Sequence, residues 1–326
     1  MKSKFNLSLV VFLIFSSISV ADFEVVTNSG IVDGYKKNNV LYWDDIPYAQ
    51  PPINELRWKA PRKINKPQNI ILPKEDNFCV QRPSSLGGAD GNGILTGTED
   101  CLYLDIVAPS KKGDTALPVM FWIHGGGNTS GLKDLYDFSK MAKRHDVIVV
   151  RINYRLGPFG WFTHPSIQDL QSGIDKSSNF GTLDIIAALH WVQENIHHFG
   201  GDPKNVTIFG ESAGGHNVFS LLVSDKSKDL FHKAIAMSGY TTSITPINAY
   251  KPKKLSSTST FSSWNVVNRI LNDQVESRTT KEYTDEEIRG ILLNLTSEDF
   301  FKYYSKRETY EELPLLTADS IVIPEI

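Results

Sequence analysis

The chain is 326 residues long, 40% hydrophobic and 22% charged, with a formal net charge of −3. That composition belongs to a folded globular protein with one large core or two small ones, and it excludes a disordered chain. Lysine and arginine are interspersed with acidic residues and never gathered into a basic stripe, which argues against nucleic acid as a partner.

The first residues, "MKSKFNLSLVVFLIFSSISVAD", set Lys2 and Lys4 before an apolar run from Leu7 to Phe15, with Ser19 and Ala21 at the −3 and −1 positions of a cleavage site. Residues 1–21 therefore read as an export signal removed near Ala21, and the chain is expected to be secreted or periplasmic. The apolar run falls short of the ~20 residues that span a bilayer, and no later stretch is apolar enough to span one. Export bears on Cys79 and Cys101, the only two cysteines. In an oxidising compartment they can pair, which would add about 3 kcal/mol by restricting the unfolded chain; otherwise they are two separate buried thiols.

From residue 22 to 326 the elements suggest one domain. "FEVVTNSGIVDGYKKNNVLYWDDIPYAQPP" alternates short strands with Asn-Ser-Gly, Asp-Gly and Pro-Pro breaks, which predicts an N-terminal antiparallel meander. "CLYLDIVAP", "LPVMFWIHGGG", "DVIVVRINYRLG", "NVTIFGES" and "KAIAMSGY" follow as apolar, β-rich runs of the kind buried on both faces of a sheet. Helical spacing separates them in "LKDLYDFSKMAKRH", "TLDIIAALHWVQENIHHF" and "AGGHNVFSLLVS". Strand and helix in alternation predict an α/β fold, a mostly parallel twisted sheet with helices on both faces. Beyond Tyr240 a Ser/Thr/Lys-rich connection leads to three helices near 264–274, 284–294 and 297–306, an expected cap over the sheet, and then to one more buried strand in "TADSIVIP".

Two glycine-rich turns carry the chemistry. Gly210-Glu211-Ser212-Ala213-Gly214 has the G-x-S-x-G spacing of a nucleophile elbow, a sharp strand-to-helix turn that presents its serine at the end of the sheet. "NVTIF" supplies the strand before it and "AGGHNVFSLL" the helix after it. In "FWIHGGGNTSG" three glycines follow His124 at the end of another buried strand, freeing main-chain N–H groups to point at one spot. Gly126 and Gly127 are the expected oxyanion donors, with the amide of Ala213 as a third. His124 is expected to brace the glycine loop by a hydrogen bond from its ring.

The same residues resemble the type B carboxylesterase family, the cholinesterase-like α/β-hydrolases, from about residue 24 onward. "IPYAQPP", "LRW" and Pro61, "TEDCLYLDIVAP", "WIHGGG", "INYRLGPFGW", "NFGTLDIIAALHWVQENIHHFGGDP" and "VTIFGESAGG" carry the resemblance in order. It implies hydrolysis of a small-molecule carboxylic ester through an acyl-serine intermediate on Ser212, with no metal or organic cofactor. It also implies a disulfide between Cys79 and Cys101, a structural ion pair between Arg57 and Glu99, and a tuning role for the Glu211 carboxylate. The loop between the cysteines holds no aromatic residue, so choline selectivity through a cation–π contact is not supported. Asn128 follows the glycine run where many relatives carry an aromatic residue or alanine.

A serine nucleophile needs a histidine base and an acid to hold it, in the order Ser, acid, His for α/β-hydrolases. All eight histidines lie at or before His232. His216 is one turn into the helix leading away from the elbow, where packing is expected; His197 and His198 read as a helix C-cap; His232 precedes a strand at the wrong end. The acid and the base are therefore expected beyond residue 326, in a longer parent chain, and these residues alone would retain only about 10³–10⁴ over water. The rivals are a non-catalytic binding or adhesion relative, which commonly loses the nucleophile, and a decayed enzyme. Oligomeric state does not follow from the sequence.

Overall fold

The computed structural model describes residues 23–85, 87–111, 113, 115–250, 263–274, 282–304 and 316–325. The expected export signal, and the last residues of the third expected cap helix, lie outside them.

The expected N-terminal meander divides between two sheets. β1 (Glu24–Thr27) and β2 (Gly30–Asp33) form an antiparallel hairpin, β3 (Tyr35–Lys37) and β4 (Val40–Pro47) a second one, and β5 (Gln68–Ile71) returns parallel to β2. The second hairpin turns on Asn38 and Asn39, both at positive φ, the two-residue geometry that matches strand twist. That hairpin joins the main sheet with β6 (Tyr103–Pro109), β7 (Leu117–Ile123), β8 (Ile148–Ile152), β9 (Gly201–Glu211) and β10 (Lys233–Met237), in spatial order β10-β9-β7-β8-β6-β4-β3. The four strands from β10 to β8 run parallel, and β6, β4 and β3 extend them antiparallel. The result is the twisted α/β sheet the sequence predicts, mixed in strand direction.

Helices cover both faces: α1 (Ser139–His145), two single turns α2 (Gly157–Gly160) and α3 (Pro165–Gln168), α4 (Phe180–Asn195) and α5 (Ala213–Val223). Strand alternation sorts the core between them. Val119, Phe121 and Ile123 of β7 pack with Ile185, Leu189 and Val192 of α4 and Val218 of α5, whereas Trp122 meets Phe209, Val149 and Ala142 of α1 on the other face. α4 is apolar on nearly every side because it is enclosed between the sheet, α5 and the loops above.

Two expected elements fall short, each because a side chain claims the backbone. The helix expected over residues 132–145 survives only as α1. Residues 131–138 turn instead, because Lys133 is buried with its amide bonded to Asn153 Oδ1 at 2.8 Å and its ammonium 2.8 Å from Asp45 and 2.9 Å from Asp105. "TADSIVIP" forms no strand. Asp319 Oδ1 accepts the amides of Ile321, Val322 and Ile323 at 2.9–3.2 Å, the donors a ladder would need. Leu316, Val322 and Ile323 are nevertheless buried in the main core.

The connection after β10 carries α6 (Pro246–Tyr250), and the cap follows as α7 (Ser263–Gln274), α8 (Asp285–Asn294) and α9 (Ser297–Tyr303). Thr284 opens α8 with a reciprocal capping box to Glu287. These helices build a second core around Trp58, which stacks on Phe162 at 5.4 Å and meets Phe300 at 5.6 Å. At the far side of the sheet, β10 pairs only with β9 among the described residues, and Ile235 and Met237 are exposed beside Leu222 and Val223 of α5.

Candidate active site

β7 and β9 are parallel neighbours, with Ile123 level with Gly210, so the glycine loop and the elbow leave the same edge of the sheet side by side. At the elbow Ser212 takes φ 56° and ψ −118° as the N-cap of α5, a conformation L-residues avoid that costs about 1–3 kcal/mol. Its amide donates to Met237 O at 2.8 Å, pinning the turn to the end of β10. The two flanking glycines are dictated by contact. A Cβ on Gly214 would lie 2.1 Å from Ile123 O, and one on Gly210 would lie 2.5 Å from Gly214 itself. The hydroxyl of Ser212 is half-buried and bonds no side chain among the described residues.

The glycine loop wraps against this turn. Gly126, Gly127 and Asn128 take successive positive φ values of 91°, 65° and 58°. Gly126 O accepts the amides of Thr129 and Ser130 at 3.1 and 3.0 Å, closing the loop on itself. The amides of Gly126, Gly127 and Ala213 donate to no protein acceptor among the described residues. Gly125 abuts the elbow so closely that a Cβ there would lie 3.3 Å from Ser212 Cβ and 3.2 Å from Glu211 Oε2. Glu211 itself is exposed.

His124 stands at the base of the loop, buried and stacked on Tyr154 at 4.3 Å. Its Nδ1 is 2.8 Å from Gly125 O; a carbonyl only accepts, so Nδ1 carries the proton and donates. Burial holds this imidazole down at about 4, so it is neutral at physiological pH. Among the described residues no histidine side chain is hydrogen-bonded to Ser212, and His145 and His190 are exposed on α1 and α4. His216 packs on Tyr240 at 4.1 Å, His197 and His198 lie against each other in the turn before Gly200, His164 caps α3, and His232 accepts from Val206 N.

Cys79 and Cys101 are joined in a disulfide, and the loop they close supports both the site and the cap. Gln81, within that loop, accepts from Gly131 N at 2.7 Å and donates to Gly131 O at 2.9 Å, gripping the exit of the glycine loop. Glu99, at its other end, accepts from Arg57 Nε at 2.7 Å. The Arg57 guanidinium also donates to the carbonyls of Leu292, Leu293 and Leu295, supplying the unpaired carbonyls that end α8.

Sequence reasoning missed the groups behind the loop. Lys133 sits between Asp45 and Asp105, and Asp105 also binds Arg151 at 2.8 Å. Burial works against the Lys133 ammonium, yet the two carboxylates outweigh it and raise its pKa above the ordinary lysine value. Asn128 and Asn217, both fully buried, meet between the loop and α5. No local pattern announces either cluster, because the partners are far apart in sequence.

A profile of the carboxylesterase family matches residues 21–313. Para-nitrobenzyl esterase of Bacillus subtilis (strain 168) is 43% identical over 223 residues, covering 68% of this chain and 44% of that protein. Liver carboxylesterase B-1 of Rattus norvegicus is 35% identical over 300 residues, covering 86% of this chain and 49% of its own length. Among solved structures, a thermophilic PNB esterase superposes with a TM-score of 0.74 at 35% identity, over 93% of this chain and 59% of that one. The chain thus spans about half the length of the curated relatives it matches. With that profile matching residues 21–313 and a relative 35% identical over 86% of this sequence, the chain belongs to the carboxylesterase family.

Proposed function

We propose that this chain carries the nucleophile half of a serine carboxylic ester hydrolase. Ser212 Oγ attacks the ester carbonyl, and the negative charge that forms on the carbonyl oxygen is received by the amides of Gly126, Gly127 and Ala213. The alkoxy group leaves with a proton, an acyl-Ser212 remains, and water then releases the acid. His124 and the Cys79–Cys101 loop keep the glycine loop in shape; Arg57 and Glu99 hold the cap; Glu211 lies beside the reacting atoms as a carboxylate able to influence the base. We assign the base and acid of the triad to polypeptide other than these 326 residues: His124 supports the glycine loop, His164 caps α3, His197, His198 and His216 lie against other rings, His232 accepts from Val206 N, and His145 and His190 are exposed on α1 and α4. Residues 1–21 direct export, and 22–326 belong to a single hydrolase domain. Ser19 and Ala21, and the paired cysteines, support that reading.

The observation that carries the proposal is the strained Ser212 turn beside a glycine loop whose Gly126 and Gly127 amides meet no protein acceptor among the described residues. The test is labelling of the longest native form of the protein by a fluorophosphonate, together with hydrolysis of p-nitrophenyl acetate. Both are expected for wild type and neither for Ser212→Ala. A wild-type protein that folds, resists the label and spares the ester would leave a non-catalytic member of the family.

A further inference from the structure

The three proposed oxyanion donors sit on two separate pieces of chain. Gly126 and Gly127 lie in the loop after β7, and Ala213 opens α5. Nothing in a run of three glycines fixes its own path, because glycine carries the largest conformational freedom of any residue. The first side chain past that run is Asn128, itself at φ 58° and 0% exposed. It reaches across to α5, where Asn217 Nδ2 donates to its Oδ1 at 2.8 Å and Asn217 Oδ1 faces its Nδ2 at 3.5 Å. Asn217 is also fully buried and stands five residues beyond Ser212. Tyr154 Oη, which donates to His124 O at 2.6 Å, lies 3.2 Å from the same Asn128 Oδ1, and Asn128 O accepts from Gly157 N at 2.8 Å.

We infer that Asn128 and Asn217 are positioning residues that clasp the glycine loop to the nucleophile helix and so set the spacing between the two halves of the oxyanion cradle. The path from Gly127 through Asn128 and Asn217 along α5 to Ala213 crosses from loop to helix at the amide pair. In a dry interior both amides must find partners, so the pair tolerates only the separation at which they meet. An apolar contact at the same place would tolerate sliding. This inference rests on the esterase reading, and its test separates the two.

The experiment uses the full-length native enzyme, with active sites counted by stoichiometric fluorophosphonate labelling. Asn217→Ala and Asn128→Gly, the latter keeping the positive φ accessible, are compared with wild type and with the double variant on p-nitrophenyl butyrate. Affinity for a trifluoromethyl ketone, which forms a tetrahedral adduct on the serine, is measured in parallel. Each single variant is expected to lose about 10- to 100-fold in kcat per titrated site with KM within about threefold, and to lose ketone affinity by the same factor. The double variant should lose no more than the worse single. Asn217→Ser, which puts a hydroxyl in place of the amide, should fall between and serves if Asn217→Ala does not fold. Unchanged kcat per titrated site beside a lowered Tm, or losses that multiply in the double variant, would make the pair mere packing and overturn the inference. Inactive wild type would instead sink the esterase reading.

Discussion

Gly214 offers the sharpest test of the elbow. Alanine there sets a methyl carbon 2.1 Å from Ile123 O and 2.9 Å from His124 O, both main-chain atoms at the end of β7. No rotamer change relieves that contact, and β7 is hydrogen-bonded on both sides, by β8 and β9. The displacement therefore falls on α5: reaching an ordinary separation of about 3.5 Å requires a retreat of roughly 1.4 Å. Overpacking of this kind costs about 1–3 kcal/mol, and a shift of about 1 Å in a reacting group costs on the order of 10²-fold in rate. Urea unfolding followed by circular dichroism reads the first effect, and the second-order rate constant for fluorophosphonate labelling reads the second. Gly290→Ala is the control, since a Cβ in that turn of α8 meets nothing within 4 Å; it should stabilise by about 0.5–1 kcal/mol and label at the wild-type rate. A Gly214→Ala protein with wild-type midpoint and labelling rate would refute the close approach on which the elbow geometry depends.

Removing Arg57 as Arg57→Ala strands the Glu99 carboxylate and the end of α8, and urea unfolding should report a loss of about 3–5 kcal/mol. Arg57→Lys should recover less than half of it, because one ammonium cannot replace a planar fork. Acid should act through the buried histidines. His124 lies at about 4 in the folded chain, below the ~6.5 of an unfolded imidazole, so stability present above pH 6.5 is lost as the pH falls toward 4. At pH 5 that group alone withdraws about 2 kcal/mol, and urea midpoints at pH 7, 6 and 5 should show a slope that His124→Gln flattens. His164 and His216, also held at about 4 by burial, steepen the same window. Lys133→Met leaves Asp45 and Asp105 facing each other with less cation, and should cost about 3 kcal/mol at pH 7. Burial raises the Asp45 carboxyl, but Lys133 outweighs it and holds it below the usual carboxylate range. Wild type therefore loses that stabilisation only as pH falls below about 4, where the gap between the two proteins should narrow.

What the sequence made legible was whatever is imposed locally. A strand that must turn sharply under a crossing helix needs glycine on both sides of its serine, so Gly210 and Gly214 mark the elbow without knowledge of the partner. The β-branched runs of β7, β8 and β9 are apolar because both faces are covered, which again shows in single residues. Most of the failures are long-range, and one is a local side-chain capture. "LKDLYDFS" has helical spacing, but the pull of Asp45 and Asp105 on Lys133 outweighs helix propensity over residues 131–138. "TADSIVIP" has strand composition, yet one carboxylate captures three amides first. The direction of β6 and β4 depends on which edge the N-terminal hairpin chooses, and β-propensity is silent on that. Asn128 was visible as a departure from its relatives, but its meaning depends on Asn217, eighty-nine positions away.

The Cys79–Cys101 cross-link fastens two grips to one short tether. At one end Gln81 holds the exit of the glycine loop; at the other Glu99 holds Arg57 and, through it, the close of α8. Cutting the sulfur bridge would slacken both together, although they belong to opposite ends of the loop in sequence. The redox potential of the surroundings thus becomes a structural input, and a thiol-rich milieu would loosen the roof and blur the anion cradle in a single event.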